Sequence, residues 1–71
     1  MVVVLSTDLK LGDVVVKKVD TEKTQLMITG FIIHAIDEAG QVIHYSLLCS
    51  DSQGNILDYK AMELEQYQTT Y

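Results

Sequence analysis

The chain has 71 residues, which is enough for one domain, and 48% of them are apolar, which excludes a natively disordered polypeptide. Ten acidic residues face five lysines and no arginine, so the net charge is −5 and a nucleic-acid partner is disfavoured, because phosphate binding requires a basic surface. Cys49 is the only cysteine, so no disulfide can form within the chain and we predict a reducing, cytoplasmic compartment.

The first residues, MVVVLSTD, form an apolar segment that is too short for a membrane span and lacks the basic start of a signal peptide. We therefore predict no membrane partner. Residues 1–71 are expected to form a single small domain, with 1–8 as an extra N-terminal strand or arm and 67–71 as a loose tail.

The segment LKLGDVVVKKV predicts a turn at Gly12 followed by a β-branched strand over 14–19. The polar connector DTEKT (20–24) separates this strand from QLMITGFIIHAI (25–36), a long strand that Gly30 interrupts. A glycine inside a strand is typical of a bulge or sharp bend, so we expect the side-chain alternation to change faces there.

The next two connections share a pattern, DEAGQ at 37–41 and DSQGN at 51–55, in which aspartate comes first and glycine fourth. This pattern suits a hairpin loop of three residues built on a type I turn, with Gly40 and Gly54 in the left-handed conformation. Each loop then sets the register of the two strands that flank it.

The first loop places His34 opposite His44, and the second places Cys49 opposite Leu57. The two hairpins share one strand, so their two registers together define the two faces of the meander. One of these faces has no charged residue and is predicted to be the core. Its members are Phe31, Ile33, Ala35, Ile43, Tyr45, Leu47, Cys49, Leu57 and Tyr59.

The segment KAMELEQY (60–67) predicts either a helical turn followed by a last short strand or one short helix. The fold class that follows is all-β, a small SH3-like barrel or meander of about five strands with a short helical turn near the C-terminus. A helical turn before the last strand suits an SH3-like barrel.

Four short motifs resemble those of small bacterial and phage SH3-like β-barrel proteins, above all the YodC-like group: LKLGDVVVKK, LMITGF, LLCSDSQGNI and a closing AMELE. The resemblance covers roughly residues 9–66. The chain departs from the group at DTEKT, where relatives have a glycine-rich basic stretch, at Ser50, where they have an aromatic residue, and in the segment that precedes residue 9. The resemblance implies the barrel fold, and because the group has no established activity, it implies no function.

The two histidines, placed opposite each other on the outer face, are candidates for a metal site or a pH switch. Zinc needs three or four ligands, so a stacked cross-strand pair is the preferred interpretation and no metal is expected. Cys49 faces the core, away from both histidines, which argues against a nucleophile and its base. The carboxylates are spread over turns and the last segment, so no catalytic residue, no cofactor and no enzyme activity are predicted.

The outer face carries more apolar side chains than a solvated face usually does, and VVVL at 2–5 adds an apolar edge without lysine or proline. We therefore predict an interaction surface that a second copy or a protein partner covers. Its members are Val2, Val3, Val4, Leu5, Ile32, His34, Ile36, Val42, His44, Leu48 and Ile56. In the alternative, a strongly curved barrel buries both faces of its long strands.

The predicted function is a non-catalytic interaction or assembly module, a small barrel that forms a homo-oligomer or docks on a protein partner. If the histidines lie at that contact, their protonation below pH ~6 should weaken it. The alternative is a small SH3-like barrel that binds nucleic acid through Lys10, Lys17, Lys18 and Lys23.

Overall fold

The computed structural model describes residues 2–67, so Met1 and all of the predicted loose tail except Tyr67 lie outside the described residues. The prediction of an all-β fold with a short helical turn before the last strand is confirmed. The elements are β1 (Val14–Lys17), β2 (Leu26–Ile36), β3 (Val42–Ser50), β4 (Ile56–Tyr59), a 3-10 turn (Ala61–Glu63) and β5 (Leu64–Gln66). The first strand ends at Lys17 rather than at Val19, which is exposed in the following turn.

The five strands form one antiparallel sheet in the order β4-β3-β2-β1-β5. The sheet is strongly curled. Two strands separate β1 from β4, yet Lys17 Nζ on β1 lies only 5.6 Å from the ring centroid of Tyr59 on β4. Within the described residues β4 and β5 are the sheet edges, so of the predicted barrel or meander the sheet is a meander and does not close into a barrel. These two strands have only four and three residues, and the 3-10 turn crosses the gap between them instead of pairing.

The hydrophobic core lies on the concave side of the sheet, where strands from both sheet edges approach each other. Four side chains are fully buried and come from the first three strands, because each of them packs under the curl: Val15, Ile28, Leu47 and Cys49. Leu9 approaches from the segment before β1 and joins this cluster. Leu9 is therefore part of the core, whereas Val2, Val3 and Val4 in the segment before it are exposed.

Both hairpin loops have the predicted geometry. Asp37 donates its N–H to the carbonyl of Gln41 at 2.9 Å, and Asp51 donates in the same way to Asn55 at 3.0 Å. Gly40 has φ +87° and Gly54 has φ +83°, and Gly12, in the turn before β1, also has φ +87°. The aspartate side chains complete each loop by accepting backbone N–H groups two and four residues further on.

The register between β3 and β4 is as predicted, with Cys49 opposite Leu57. Between β2 and β3 the predicted bulge next to Gly30 is confirmed. A second irregularity was not predicted: Ala35, and not His34, is the partner of His44. His34 is an extra residue in β2, and Ile43 compensates for it as an extra residue in β3, so the pairing is regular again at both sides.

The predicted core face is buried only in part. Leu47 and Cys49 are 0% exposed, whereas Leu57, Ile33 and Ile43 are 46%, 43% and 66% exposed. The isoleucines are exposed because β1 pairs with β2 only at its first residues, so no strand among residues 2–67 covers the far end of the long hairpin. On the face predicted to point outward, Val42 is buried at 8%, because the N-terminal segment pairs with it.

Candidate interaction surface

The β2–β3 ribbon extends beyond the rest of the sheet. We call residues 31–46 the distal hairpin, because β1 pairs with β2 no further than Met27 and β4 pairs with β3 only from Leu47 onward. Along this ribbon the side chains of Ile33, Ile36 and Ile43 are 43%, 40% and 66% exposed. A two-stranded ribbon that presents isoleucine to water has little stability of its own, so another surface is expected to cover it.

The N-terminal arm, which we define as residues 2–8, lies along the distal hairpin. Val4 donates its N–H to the carbonyl of Gly40 and accepts the N–H of Val42, both at 2.9 Å. Gln41 Nε2 also donates to Ser6 Oγ at 3.3 Å. The predicted extra strand is thus a single parallel bridge on the outer edge of β3, and it places the arm beside the hairpin loop.

The structure brings most of the predicted interaction residues together at this end of the molecule. Seven of them are exposed: Val2, Val3, Val4, His34, Ile36, His44 and Ile56. Leu5, Ile32 and Leu48 are half-buried, and Val42 is buried. Ile56 lies apart from the others, because its partner Ser50 is at the opposite end of β3.

Ile33 and Ile43 belong to the same exposed end, although the pattern of alternation assigned them to the core. The missed signal is a difference in length, because β1 and β4 have four residues each and β2 has eleven. Two short strands cannot cover a ribbon of that length, so its far end is left without a second layer. We use the name distal surface for the exposed side chains of the arm and the distal hairpin: Val2, Val3, Val4, Ile33, His34, Ile36, Ile43 and His44.

The two histidine rings lie close together despite the irregular register. Their centroids are 4.9 Å apart with 39° between the ring planes. His34 Nε2 shares a hydrogen bond of 2.7 Å with Ser46 Oγ, which orients the His34 ring on the sheet. Among residues 2–67 no three histidine, cysteine or carboxylate side chains are placed to hold a metal ion. The two histidines form a tilted ring pair on the distal surface.

Among the residues that the structure describes, no strand lies on the outer edge of β2 along the distal hairpin. At Ile28 this edge is still occupied, since Ile28 donates its N–H to the Asp13 carbonyl at 3.0 Å and accepts the N–H of Gly12 at 2.8 Å. Further along, residues 31–36 have no strand on this side within the described chain. The distal surface thus combines exposed apolar side chains with an open backbone edge.

Cys49 is fully buried at the centre of the core, on β3. Burial raises the pKa of its thiol, and the nearby Asp58 carboxylate raises it further. A protonated, enclosed thiol is a poor nucleophile, because the thiolate is the reactive form. Its position supports a packing role.

The lysines of the alternative function do not lie together. Lys10 precedes β1, whereas Lys17, Lys18 and Lys23 lie at the other end of that strand. Lys23 forms an ion pair of 2.9 Å with Glu65. The ring of Tyr59 lies 5.6 Å from Lys17 Nζ, so two of the four cations already have partners within the chain.

A cleft of about 770 Å³ lies between the N-terminal arm and β5. Its wall includes Thr7, Leu9, Val16, Tyr45 and Tyr67, together with the ion pair described above. The wall contains both polar and apolar side chains, and among the described residues no group of three histidine, cysteine or carboxylate side chains is placed to hold a metal ion there.

Comparison of the chain with protein-family models, with curated proteins and with solved structures found no match. The resemblance to YodC-like SH3-like proteins therefore remains a prediction. No helix among residues 2–67 is long and apolar enough to cross a membrane.

Proposed function

We propose that this protein is a non-catalytic assembly module whose distal surface binds a second copy of the chain. One observation carries the proposal: Ile33, Ile36 and Ile43 are exposed on a ribbon that projects beyond every covering strand of the described chain. Single exposed apolar residues are ordinary, but a contiguous apolar end on a small protein marks an interaction site.

The arm strengthens this proposal because it adds three exposed valines beside the same end of the hairpin. Val2, Val3 and Val4 are 78%, 44% and 47% exposed. Apolar burial contributes about 25 cal/mol per Å², and a stable interface needs roughly 1,000 Å² in total. A domain of 71 residues has a small core, so covering this end would add stability that the isolated chain lacks.

Two further proposals are each supported by one feature. The lone buried Cys49 supports a reducing, cytoplasmic location. The 3-10 turn directly before β5 supports the proposed kinship with SH3-like proteins.

The test is the mass of the particle in solution, measured by light scattering after size exclusion at rising micromolar concentration. We expect the unmodified chain to form a dimer or a higher oligomer. Ile36→Lys should shift the particle toward the monomer, because a charge would have to be desolvated in the contact. Val19→Lys is the matched control. Like Ile36, Val19 is an exposed β-branched apolar residue, but it lies in the turn after β1, away from the distal surface.

Circular dichroism of both variants should show unchanged β-sheet content, which confirms that the lysine acts on association and not on folding. A particle that stays at 8.0 kDa at the highest concentration would contradict the proposal. Equal effects of the two lysines on the mass would contradict the assignment to the distal surface.

A further inference from the structure

Four stretches of strand edge have no paired strand within the described chain, and they differ in their protection. Residues 43–46 of β3 lie between β4 and the N-terminal arm, which forms its bridge at Gln41. The outer edge of β4 carries Asp58, and the outer edge of β5 carries Glu65. Both strands are short, and a short, charged edge resists pairing with another chain. The open part of β2, residues 31–36, contains no aspartate, glutamate, lysine or proline. It is therefore the edge best suited to accept another strand.

The backbone of this segment is oriented for such pairing. Alternate residues of a strand direct their N–H and C=O groups to opposite edges, and those of Ile28 point to the β1 side. Continued through the bulge after Ile28, the alternation directs the groups of Phe31 and Ile33 to the same, open side. At the far end Val42 donates its N–H to the arm, so its partner Ile36 also directs its backbone groups outward.

From this geometry we propose that two copies pair through the open edge of β2, antiparallel, about a two-fold axis beside Ile33 and His34. The inference rests on the proposed function and specifies how the distal surface binds its partner. The four central strands of the dimer then run in the order β3-β2, followed by β2-β3 of the partner. Open peptide groups of each copy gain hydrogen bonds, and the isoleucines of both copies become neighbours.

Residues 31–36 of one copy and residues 31–36 of the other can pair over their full length. With the axis beside Ile33, Phe31 lies opposite the partner's Ile36, because His34 is an extra residue in β2. The hairpin loop 37–40 of the partner then ends beside Ile28, where the turn 10–13 already occupies the edge. The pairing thus fills the open edge from one end to the other without displacing β1.

Charge supports a second copy as the occupant. In this arrangement the loop that carries the partner's Glu38 meets the turn that carries Lys10, and both side chains are exposed. The two-fold axis repeats the contact, so each dimer gains two such pairs. Two chains that each carry a net charge of −5 repel each other overall, and these opposite charges at the two ends of the paired edges offset part of that repulsion.

The test is disulfide cross-linking through a single introduced cysteine. Ile33→Cys places the thiol beside the axis, where paired Cα atoms are about 5.5 Å apart, within the range that a disulfide spans. Ile43→Cys is the matched control, because it is also an exposed isoleucine of the distal surface but lies on β3. Two β3 strands separated by both β2 strands are about 14 Å apart, which is beyond the reach of a disulfide. The native Cys49 can stay, because it is fully buried, and the unmodified chain is the blank.

We expect mild oxidation to convert at least tenfold more of Ile33→Cys than of Ile43→Cys into a covalent dimer. As a second measurement, amide hydrogen exchange of the unmodified chain should slow about tenfold for residues 31–36 at high concentration, and not for β4. A dimeric mass with neither cross-linking at position 33 nor slower exchange would overturn the edge pairing and leave the proposed function intact. A monomeric mass would overturn both.

Discussion

The glycines show how a single backbone angle decides the effect of a substitution. Gly54 has φ +83°, and a Cβ built there meets no atom within 4 Å, so the strain of a side chain at this position comes from the backbone alone. Gly30 has no positive φ, and its Cβ would meet only the Leu48 side chain, at 3.4 Å. The two glycines therefore separate backbone strain from crowding.

We expect Gly54→Ala to lower the free energy of unfolding by about 1 kcal/mol, because alanine is strained at positive φ. Gly40→Ala should cost about as much or more, since Gly40 has the same conformation and is buried. Gly30→Ala is the control and should change the free energy of unfolding by less than about 0.5 kcal/mol. Urea unfolding followed by circular dichroism measures all three, and equal losses at positions 30 and 54 would contradict the assignment.

Asp51 connects a loop to the stability of the protein in acid. Its carboxylate accepts the backbone N–H of Asn55 and that of Gln53, each at 2.9 Å. The bond from Asn55 is the main reason why the pKa of Asp51 lies below its ordinary value, and partial desolvation opposes this effect. The charged carboxylate therefore stabilises the fold at a pH above the ordinary pKa of aspartate, and this stabilisation is lost as the pH falls through the lowered pKa.

We expect Asp51→Asn to lower the melting temperature at pH 6, and we expect the difference from the unmodified chain to shrink steadily below about pH 4. Glu22→Gln, in the exposed turn before β2, is the control and should leave the melting temperature nearly unchanged at pH 6. Melting curves between pH 2 and pH 6 provide the measurement. A deficit of Asp51→Asn that is constant over this range would show that the charge of Asp51 has no role.

At the scale of elements, the conformation of the two hairpin loops could be predicted from the sequence, whereas the burial of side chains along the long strands could not. The patterns DEAGQ and DSQGN determine both loops, because aspartate and glycine at fixed spacing satisfy local backbone groups without help from the rest of the chain. The bulge at Gly30 was predictable for the same local reason. Whether Ile33 or Ile43 is buried depends on which distant strand reaches it, and alternation within β2 contains no information about the length of β1.

The candidate site shows the same division. The closeness of His34 and His44 was predicted, although the ladder partner of His44 is Ala35. The two extra residues compensate each other, and no local motif such as a glycine marks either of them in the sequence. The arm was predicted as apolar, but its bridge from Val4 to the first loop is a contact between distant parts of the chain.

At the scale of the whole molecule, the sheet is open and elongated, with extents of 42 × 26 × 20 Å over the described residues. The core occupies the curled end, and the distal hairpin accounts for the length. A compact domain of this size would hide more of its apolar side chains. The elongated shape therefore agrees with a protein whose distal hairpin contacts another copy.

The pairing of β1 with β5 has a consequence for the order of folding. Val15 pairs with Gln66 and Lys17 pairs with Leu64. The outer edge of β1 is therefore occupied by a strand that follows β2, β3 and β4 in the sequence. The hairpins β2–β3 and β3–β4 close through short loops and can form early, whereas closure of the long loop between β1 and β5 costs more chain entropy. We expect stopped-flow refolding to be slow for a chain of this length, in the range of milliseconds to seconds that is typical of non-local β proteins.

Leu64→Ala removes a buried side chain from β5 and should mainly raise the unfolding rate, because β5 pairs late. If the folding rate instead drops as much as the unfolding rate rises, β5 already belongs to the folding nucleus. During synthesis the outer edge of β1 stays unpaired until β5 has emerged from the ribosome, because Val15 and Lys17 have their partners on β5.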